Sequence, residues 1–286
     1  MLAMDWAWGA LAFAGLVGLA HVAIRRGLAP SRVLESGAPD GLPWRDVRIP
    51  TSNGKSLHGW FIPAGERAPA LVVMHGWGGN AEMMLPLAAP LHAADYALLL
   101  VDARCHGRSD DDSFASLPRF AEDIEAALSW LGRQSEVDAD RLAVIGHSVG
   151  AGAALLAASR RSDLRLVVSL AAFAHPAVMM RRWLASKSIP YWPFGVYVLH
   201  YVQKVIGHRF DEIAPCRTIG RIVCPVLLVH GLEDDTVPAD EARQIHEARR
   251  SDAVELLLVP GSHDSYGDLA AAMGTLLEFL GRHMGR

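Results

Sequence analysis

Short apolar runs alternate with longer helical patterns along most of the chain. Mostly apolar runs rich in β-branched residues are typical of buried strands, and they occur at residues 47–50, 57–62, 70–74, 96–101, 141–145, 166–170, 226–229 and 254–259. Amphipathic or alanine-rich stretches, which are typical of helices, occupy about residues 81–93, 118–131, 151–159 and 268–283. Strands that alternate with helices form mostly parallel sheets covered on both faces. The pattern therefore predicts an α/β domain over residues 44–286, with about eight strands.

The first two strands are joined by a turn signal. Asn53-Gly54 lies between them, and this dipeptide favours the tight turns of β-hairpins. We therefore expect the first two strands to pair antiparallel at one edge of the sheet.

The N-terminal segment has a different pattern. Residues 6–24 contain no Asp, Glu, Lys or Arg, and Arg25 and Arg26 follow. As a helix this segment would be about 29 Å long, close to the thickness of a bilayer's hydrocarbon core. Residues 1–26 are therefore predicted to form a single-pass membrane anchor, with residues 27–43 as a linker and the main domain in the cytoplasm. The alternatives are a helix that packs on the domain or in a homodimer of a cytoplasmic protein, and a cleaved signal peptide.

Composition excludes some classes of function. The 286 residues are 51% hydrophobic and 20% charged, with a formal net charge of −4. Without a strongly basic stretch, nucleic acid is not an expected partner. The three cysteines fit a reducing compartment better than a disulfide framework.

The fifth predicted strand is followed by the sequence Gly146-His147-Ser148-Val149-Gly150. A G-x-S-x-G motif between a strand and a helix is typical of a nucleophile elbow, a sharp turn that presents its serine at the carboxyl end of the strand. The glycines provide room for this turn, and the following helix N-terminus favours negative charge. Ser148 is therefore predicted to be a catalytic nucleophile.

A serine nucleophile needs a base, and the base needs an acid to orient it. His263 follows the last strand and is predicted to be the base, and Asp234 follows the preceding strand and is predicted to be the acid. The order serine, acid, histidine is the one that this type of fold uses. Glu233 and Asp235 are neighbours of Asp234, so the identity of the acid stays open among the three.

The tetrahedral intermediate also needs hydrogen-bond donors for its oxyanion. His75-Gly76-Trp77-Gly78-Gly79 follows the third strand, and its glycines let the backbone approach the reacting carbon. The backbone N–H groups of Trp77 and Val149 are predicted to form the oxyanion hole.

These motifs together resemble the α/β-hydrolase superfamily over about residues 47–280. The resemblance is carried by residues 75–79, 102–109, 146–150 and 231–238, and by Gly261-Ser262-His263. Within the superfamily the chain is similar to bacterial esterases and acyl-aminoacyl peptidase-like serine hydrolases. The resemblance implies ester, thioester or amide hydrolysis without a cofactor. Cys105 departs from it, because relatives usually carry glycine there, and we interpret this change as a packing variation.

An insertion at residues 174–214 lies where this fold usually carries a cap. Two prolines divide it into predicted helices at about residues 175–186 and 194–206. Aromatic and methionine side chains in a cap suggest an apolar acyl pocket, although they could equally pack the cap on the core. The residues predicted to bind substrate are His75, Gly76, His147, Met180, Trp183 and Trp192.

The sequence therefore predicts a serine hydrolase that cleaves carboxylic esters of small molecules or lipids through an acyl-enzyme. Amide or thioester hydrolysis is the alternative, because the same triad serves all three reactions. A non-catalytic binding protein is disfavoured, since all three triad residues are present. The 13 histidines form no motif with metal-ligand spacing, so neither a metal nor a cofactor is expected.

Overall fold

The computed structural model describes residues 2–265 and 269–285, with the backbone alone for residues 2–7, 9, 10, 12, 13 and 269–271. Met1 and Asp268, the predicted starts of the first and last helices, lie outside the described residues.

The strands form one eight-stranded sheet in the order β1-β2-β4-β3-β5-β6-β7-β8. β1 and β2 are antiparallel, as are β2 and β4, and all other pairs are parallel. This confirms the predicted mostly parallel sheet. The strands are β1 Arg45–Pro50, β2 Ser56–Ile62, β3 Ala68–Met74, β4 Ala97–Val101, β5 Val137–His147, β6 Leu166–Leu170, β7 Val226–Gly231 and β8 Val254–Val259.

Helices flank the sheet and form the cap. They are α1 Leu2–Gly27, α2 Ala88–Ala93, α3 Leu117–Leu131, α4 Val149–Ala158, α5 Pro176–Ser186, α6 Val196–Ile206, α7 Phe210–Ile213, α8 Pro215–Thr218, α9 Ala239–Glu247 and α10 Leu269–Met284.

The sheet is buried on both faces. In β3, Val72 and Met74 belong to a core layer with α3 and α4, whereas Leu71 and Val73 belong to the layer with α10. Successive strand residues point to opposite faces, so a continuous apolar run can supply both layers. This explains why the central strands are apolar throughout.

The predicted hairpin forms the sheet edge. Ile49 pairs with Leu57 and Pro50 with Ser56. Asn53 has φ 61° and Gly54 has φ 65°, the left-handed conformation that these two residue types tolerate best. The turn sequence therefore sets the register of β1 against β2.

The predicted helix over residues 81–93 differs in detail. A 3₁₀ helix covers Ala81–Leu87, and α2 follows it. Pro86 lies inside this segment, where its missing N–H and its ring disfavour a continuous α-helix.

The N-terminal helix lies against the cap. His21 Nε2 is 2.5 Å from the hydroxyl of Tyr197 and its ring stacks on Tyr201, while Arg25 Nε donates to the Tyr201 hydroxyl over 3.1 Å. Among the described residues, no helix combines the length and apolar character needed to cross a bilayer. The structure thus gives no support to the membrane span predicted over residues 6–24, whose polar end is paired with α6.

The cap is tied to the main domain by a half-buried arginine of α5. The Arg182 guanidinium forms an ion pair with the buried carboxylate of Glu241 on α9 and donates to the carbonyl of Thr236 over 3.1 Å. Glu241 also accepts from the amide of Ala174, where the cap segment begins. The first cap helix is therefore fastened to the loop after β7.

Candidate active site

The turn after β5 holds Ser148 in a strained conformation. Ser148 has φ 54° and ψ −117°, a region that non-glycine residues rarely occupy. Its amide donates to the carbonyl of Leu170 on the neighbouring strand over 2.8 Å. A Cβ on Gly146 would lie 2.2 Å from the carbonyl oxygen of Gly150, so the backbone of α4 leaves no room for a side chain at position 146. The predicted nucleophile elbow is thus present at the carboxyl edge of the sheet.

Three side chains that are far apart in the sequence meet at this edge. Ser148 Oγ lies 3.0 Å from His263 Nε2, and His263 Nδ1 lies 2.7 Å from Asp234 Oδ2. Both distances are within hydrogen-bonding range. The serine can donate to Nε2 while Nδ1–H donates to the carboxylate. This is the relative geometry that a nucleophile, a base and an orienting acid require.

The structure distinguishes among the three candidate acids. Asp234 is buried, and its Oδ1 accepts from the amides of Thr236 and Val237 over 2.9 and 2.7 Å. Glu233 turns instead to the amide of Gly261, which donates to its Oε2 over 2.5 Å. Asp235 is exposed and contacts Thr236. Asp234 is therefore the acid that contacts His263.

The loop after β3 packs directly on the nucleophile. A Cβ on Gly76 would lie 3.2 Å from Cβ of Ser148, so this loop passes over the serine without a side chain in between. Trp77 follows, with 43% of its surface exposed. Val149 begins α4, whose first amides have no partner within the helix. Val149 thus follows the serine directly and Trp77 follows the glycine that packs on it, and their role as the oxyanion hole stays a prediction.

Two buried neutral histidines support this loop. His75 Nδ1 donates to the carbonyl of Gly76 over 2.6 Å, and its Nε2 accepts from the amide of Ala103 over 3.1 Å. His106 Nε2 accepts from the amide of Gly78 over 3.1 Å. Burial lowers the pKa of His75 and lowers that of His106 to about 3, which keeps both rings able to accept. Both ring nitrogens of His75, which is predicted to bind substrate, therefore form hydrogen bonds with the backbone.

His147 also has a backbone partner. Its Nε2 donates to the carbonyl of His263 over 2.9 Å, and the two rings lie 5.0 Å apart. Burial lowers the pKa of His147, which favours the neutral ring. His147 thus supports the backbone of His263, and its contact with substrate stays a prediction.

The cap residues predicted to bind substrate are spread over the cap. Met180 is half-buried against the core, Trp183 lies beside Gly27 at the end of α1, and Trp192 is 77% exposed. Within the described part of the chain, no hydrogen bond or ring contact joins these three residues to the triad. The aromatic side chains therefore belong largely to the outer surface of the cap.

Two groups of side chains have donor atoms close enough for a cation. They are His147 with His263 and Asp264, and Glu35 with His58 and Asp102. In the first group, His147 Nε2 and both nitrogens of His263 already have hydrogen-bond partners.

In the second group, His58 bonds Asp102 through Nδ1 and Asp46 through Nε2, over 2.9 and 2.7 Å. Neither arrangement requires a metal, and the absence of a metal stays a prediction.

An eight-stranded sheet in this strand order, with a strained serine elbow at its carboxyl edge, defines an α/β hydrolase. The family described as "Serine aminopeptidase, S33" matches residues 65–211, about half of the chain. The chain therefore belongs to this family of serine hydrolases.

Individual relatives cover more of the chain. The uncharacterized protein Rv2307c of Mycobacterium tuberculosis is 29% identical over 221 residues, which are 76% of this chain and 71% of the relative. The uncharacterized protein YfhR of Escherichia coli is 26% identical over 237 residues, covering 79% and 76%. The solved Pyrococcus furiosus esterase Pf2001 superposes with a TM-score of 0.74 at 23% identity, covering 90% of this chain and 98% of that structure. This last similarity concerns the fold.

Proposed function

We propose that this hydrolase cleaves carboxylic esters through an acyl-enzyme formed on Ser148. The observation that carries the proposal is the unbroken contact from Ser148 Oγ through the His263 ring to Asp234 Oδ2, with distances of 3.0 and 2.7 Å. The side chain of Asp234 is fully buried, that of His263 is 12% exposed and Ser148 is half-buried, so a substrate can approach these three residues from the side of the serine and not from that of the acid.

Each residue has one role in the proposed reaction. His263 Nε2 takes the proton of Ser148 as Oγ attacks the ester carbonyl, and the same proton then passes to the departing alcohol. Asp234 keeps the His263 proton on Nδ1 and stabilises the imidazolium that forms. The amides of Trp77 and Val149 donate to the carbonyl oxygen as it becomes negative. Water then repeats the sequence on the acyl-enzyme and releases the acid.

The surface beside the serine favours an apolar acyl group. Trp77, Met83 and Leu232 are 43%, 53% and 47% exposed. Trp77 lies on the loop after β3, Met83 on the 3₁₀ helix that follows this loop, and Leu232 directly after β7. The Met83 sulfur is 2.7 Å from where a Cβ of Gly79 would lie, so this side chain rests on the loop over the serine. Apolar side chains near a reactive centre bind acyl chains by removing their surface from water. Small-molecule and lipid esters are therefore the proposed substrates.

Amide or thioester hydrolysis is the second candidate. The family's own description as an aminopeptidase favours it, and the same tetrahedral intermediate serves all three bonds. Esters are preferred here because an alkoxide leaves more readily than an amine, which needs protonation by His263 before the C–N bond breaks.

The test is turnover of p-nitrophenyl esters of increasing acyl length, run beside a p-nitroanilide series and labelling by a fluorophosphonate probe. Ser148→Ala is expected to abolish turnover and labelling, because no other group replaces Oγ. Ser129→Ala, on the exposed side of α3, is the matched control and is expected to behave as the wild type. Wild-type protein that neither turns over any ester nor takes the label would refute the proposal. Faster anilide than ester turnover would favour the second candidate.

A further inference from the structure

A second histidine contacts the proposed catalytic acid. His230 is the second-last residue of β7, before Gly231, and is completely buried. Its Nε2 lies 2.7 Å from the carbonyl oxygen of Val237 and 3.2 Å from Asp234 Oδ2. The same Oδ2 is the atom that accepts from His263.

The partners of His230 determine which form of the ring is present. A carbonyl oxygen can only accept a hydrogen bond, so Nε2 carries a proton that it donates to Val237, and the Asp234 carboxylate 3.2 Å away also favours a proton on this nitrogen. Nδ1 is buried and has no hydrogen-bond partner among the described residues. A proton on Nδ1 would therefore be a buried donor without an acceptor, which is unfavourable. The neutral Nε2–H tautomer is the one that satisfies the site.

His230 lies against the carboxylate of Asp234 and also holds the loop that bonds it. The amides of Thr236 and Val237 donate to Oδ1, and the His263 ring donates to Oδ2. His230 Nε2 lies 3.2 Å from the same Oδ2 and donates to the carbonyl of Val237, whose amide is one of the two donors to Oδ1. The buried ring therefore packs against one oxygen of the carboxylate and holds the segment that bonds the other.

We propose that His230 is a positioning residue for catalysis, which fixes Asp234 Oδ2 in the orientation that receives the Nδ1–H of His263. This inference rests on the proposed function of the triad. As a neutral donor, His230 orients the acid without placing a second positive charge beside the imidazolium that forms on His263. It touches neither the substrate nor Ser148.

The alternative is a role in folding alone, since His230 also holds the carbonyl of Val237. The two roles make different predictions for kcat and KM. Misalignment of the acid lowers the rate of the chemical step and leaves substrate binding nearly unchanged, whereas a loss of stability lowers the amount of active protein. Rates must therefore be expressed per active site titrated with the fluorophosphonate probe.

The experiment compares His230→Gln with His230→Met. The amide nitrogen of glutamine reaches the place of the imidazole Nε2, while methionine has a similar length and shape without a donor. We expect His230→Met to lower kcat at least about tenfold, because the polar contact with the Asp234 carboxylate and the hydrogen bond to Val237 are both lost, with KM changed by less than about twofold. His230→Gln is expected to keep kcat within about threefold of the wild type. If His230→Met does not fold, His230→Asn replaces it. The shorter asparagine side chain places its amide near the position of Nδ1 and has no donor at the position of Nε2, so the same loss of kcat is expected.

A double-mutant cycle locates the effect. In an Asp234→Asn background, His230→Met is expected to lower kcat by less than about threefold further, because the carboxylate on which His230 acts is already gone. Equal kcat per active site for His230→Gln, His230→Met and the wild type would overturn the positioning role and leave the proposed function standing. A full tenfold loss in both backgrounds would also overturn it. If wild-type protein neither hydrolyses esters nor takes the label, both the positioning role and the proposed function are overturned.

Discussion

Replacing the proposed acid by its amide, Asp234→Asn, is expected to disable the base His263, and the hydrogen bonds of Asp234 predict how the new side chain is oriented. The amides of Thr236 and Val237 both donate to Oδ1, so the carbonyl oxygen of the new asparagine is expected to stay there. Its NH₂ group then takes the place of Oδ2, 2.7 Å from His263 Nδ1. Two donors cannot face each other at that distance. The His263 ring is therefore expected to move its proton to Nε2 and to accept at Nδ1.

This change of tautomer disables the base. With a proton on Nε2, which lies 3.0 Å from Ser148 Oγ, His263 cannot take the proton of the serine. We expect kcat/KM for p-nitrophenyl esters to fall about a thousandfold or more, roughly 4 kcal/mol in the barrier. KM should change little, because Asp234 is buried and does not reach the substrate.

The measurement is steady-state hydrolysis together with the rate of fluorophosphonate labelling, which depends on the same base. The matched controls are Glu233→Gln and Asp235→Asn, which change the neighbouring acids without touching His263. The wild-type thermal unfolding midpoint should be largely retained, since asparagine keeps both amide bonds at Oδ1. The reasoning is refuted if Asp234→Asn keeps more than about a tenth of wild-type activity, or if either control loses as much.

Two further predictions concern stability. Gly150→Ala would place a Cβ 2.3 Å from the carbonyl oxygen of His75, so we expect a loss of about 2–3 kcal/mol in urea unfolding together with reduced activity. Gly274→Ala on α10 is the control, because no described atom lies within 4 Å of its Cβ, and equal losses would contradict the steric argument. Burial, and then the hydrogen bond to Asp102, raises the pKa of Glu35 to about 7. Since the fold favours the protonated acid, this stabilisation is complete below pH 4.5 and is lost as the pH rises through 7. We expect unfolding free energy to fall by about 1–2 kcal/mol between pH 5 and 8, less than the full shift implies because Glu35 lies on a surface segment. Glu35→Gln should abolish this decline, and an unchanged decline in the variant would assign it to other groups.

Much of the fold could be predicted because its signals are local. The strand β3 reads as a continuous apolar run because it is buried on both faces, and Asn53-Gly54 marks a hairpin because both residues tolerate positive φ. The elbow is equally local, since the glycines at 146 and 150 are needed within one turn of Ser148. The helix predicted at residues 81–93 differs from the structure in detail, because it contains a proline whose effect the amphipathic pattern hides.

The candidate site was only partly predictable. Ser148 and His263 could be chosen from motifs, but three adjacent acids, Glu233, Asp234 and Asp235, have the same chemistry and follow the same strand. His230 had no signal beyond its place at a strand end. The N-terminal segment was ambiguous for a similar reason. A membrane span and a helix that lies on α6 can have the same composition, and only the partners of polar residues such as His21 distinguish them.

The sequence by itself determined the α/β architecture, the elbow and the order of nucleophile, acid and base, because each depends on side-chain periodicity or backbone freedom within a few residues. Only the tertiary structure decided which acid meets His263, that a second imidazole lies 3.2 Å from Asp234 Oδ2, and where the cap aromatics lie. The reason is physical. A hydrogen bond is set by ångström-scale distances between loops that are about 30 to more than 100 residues apart along the chain, and such distances exist only once the sheet has brought the ends of its strands together.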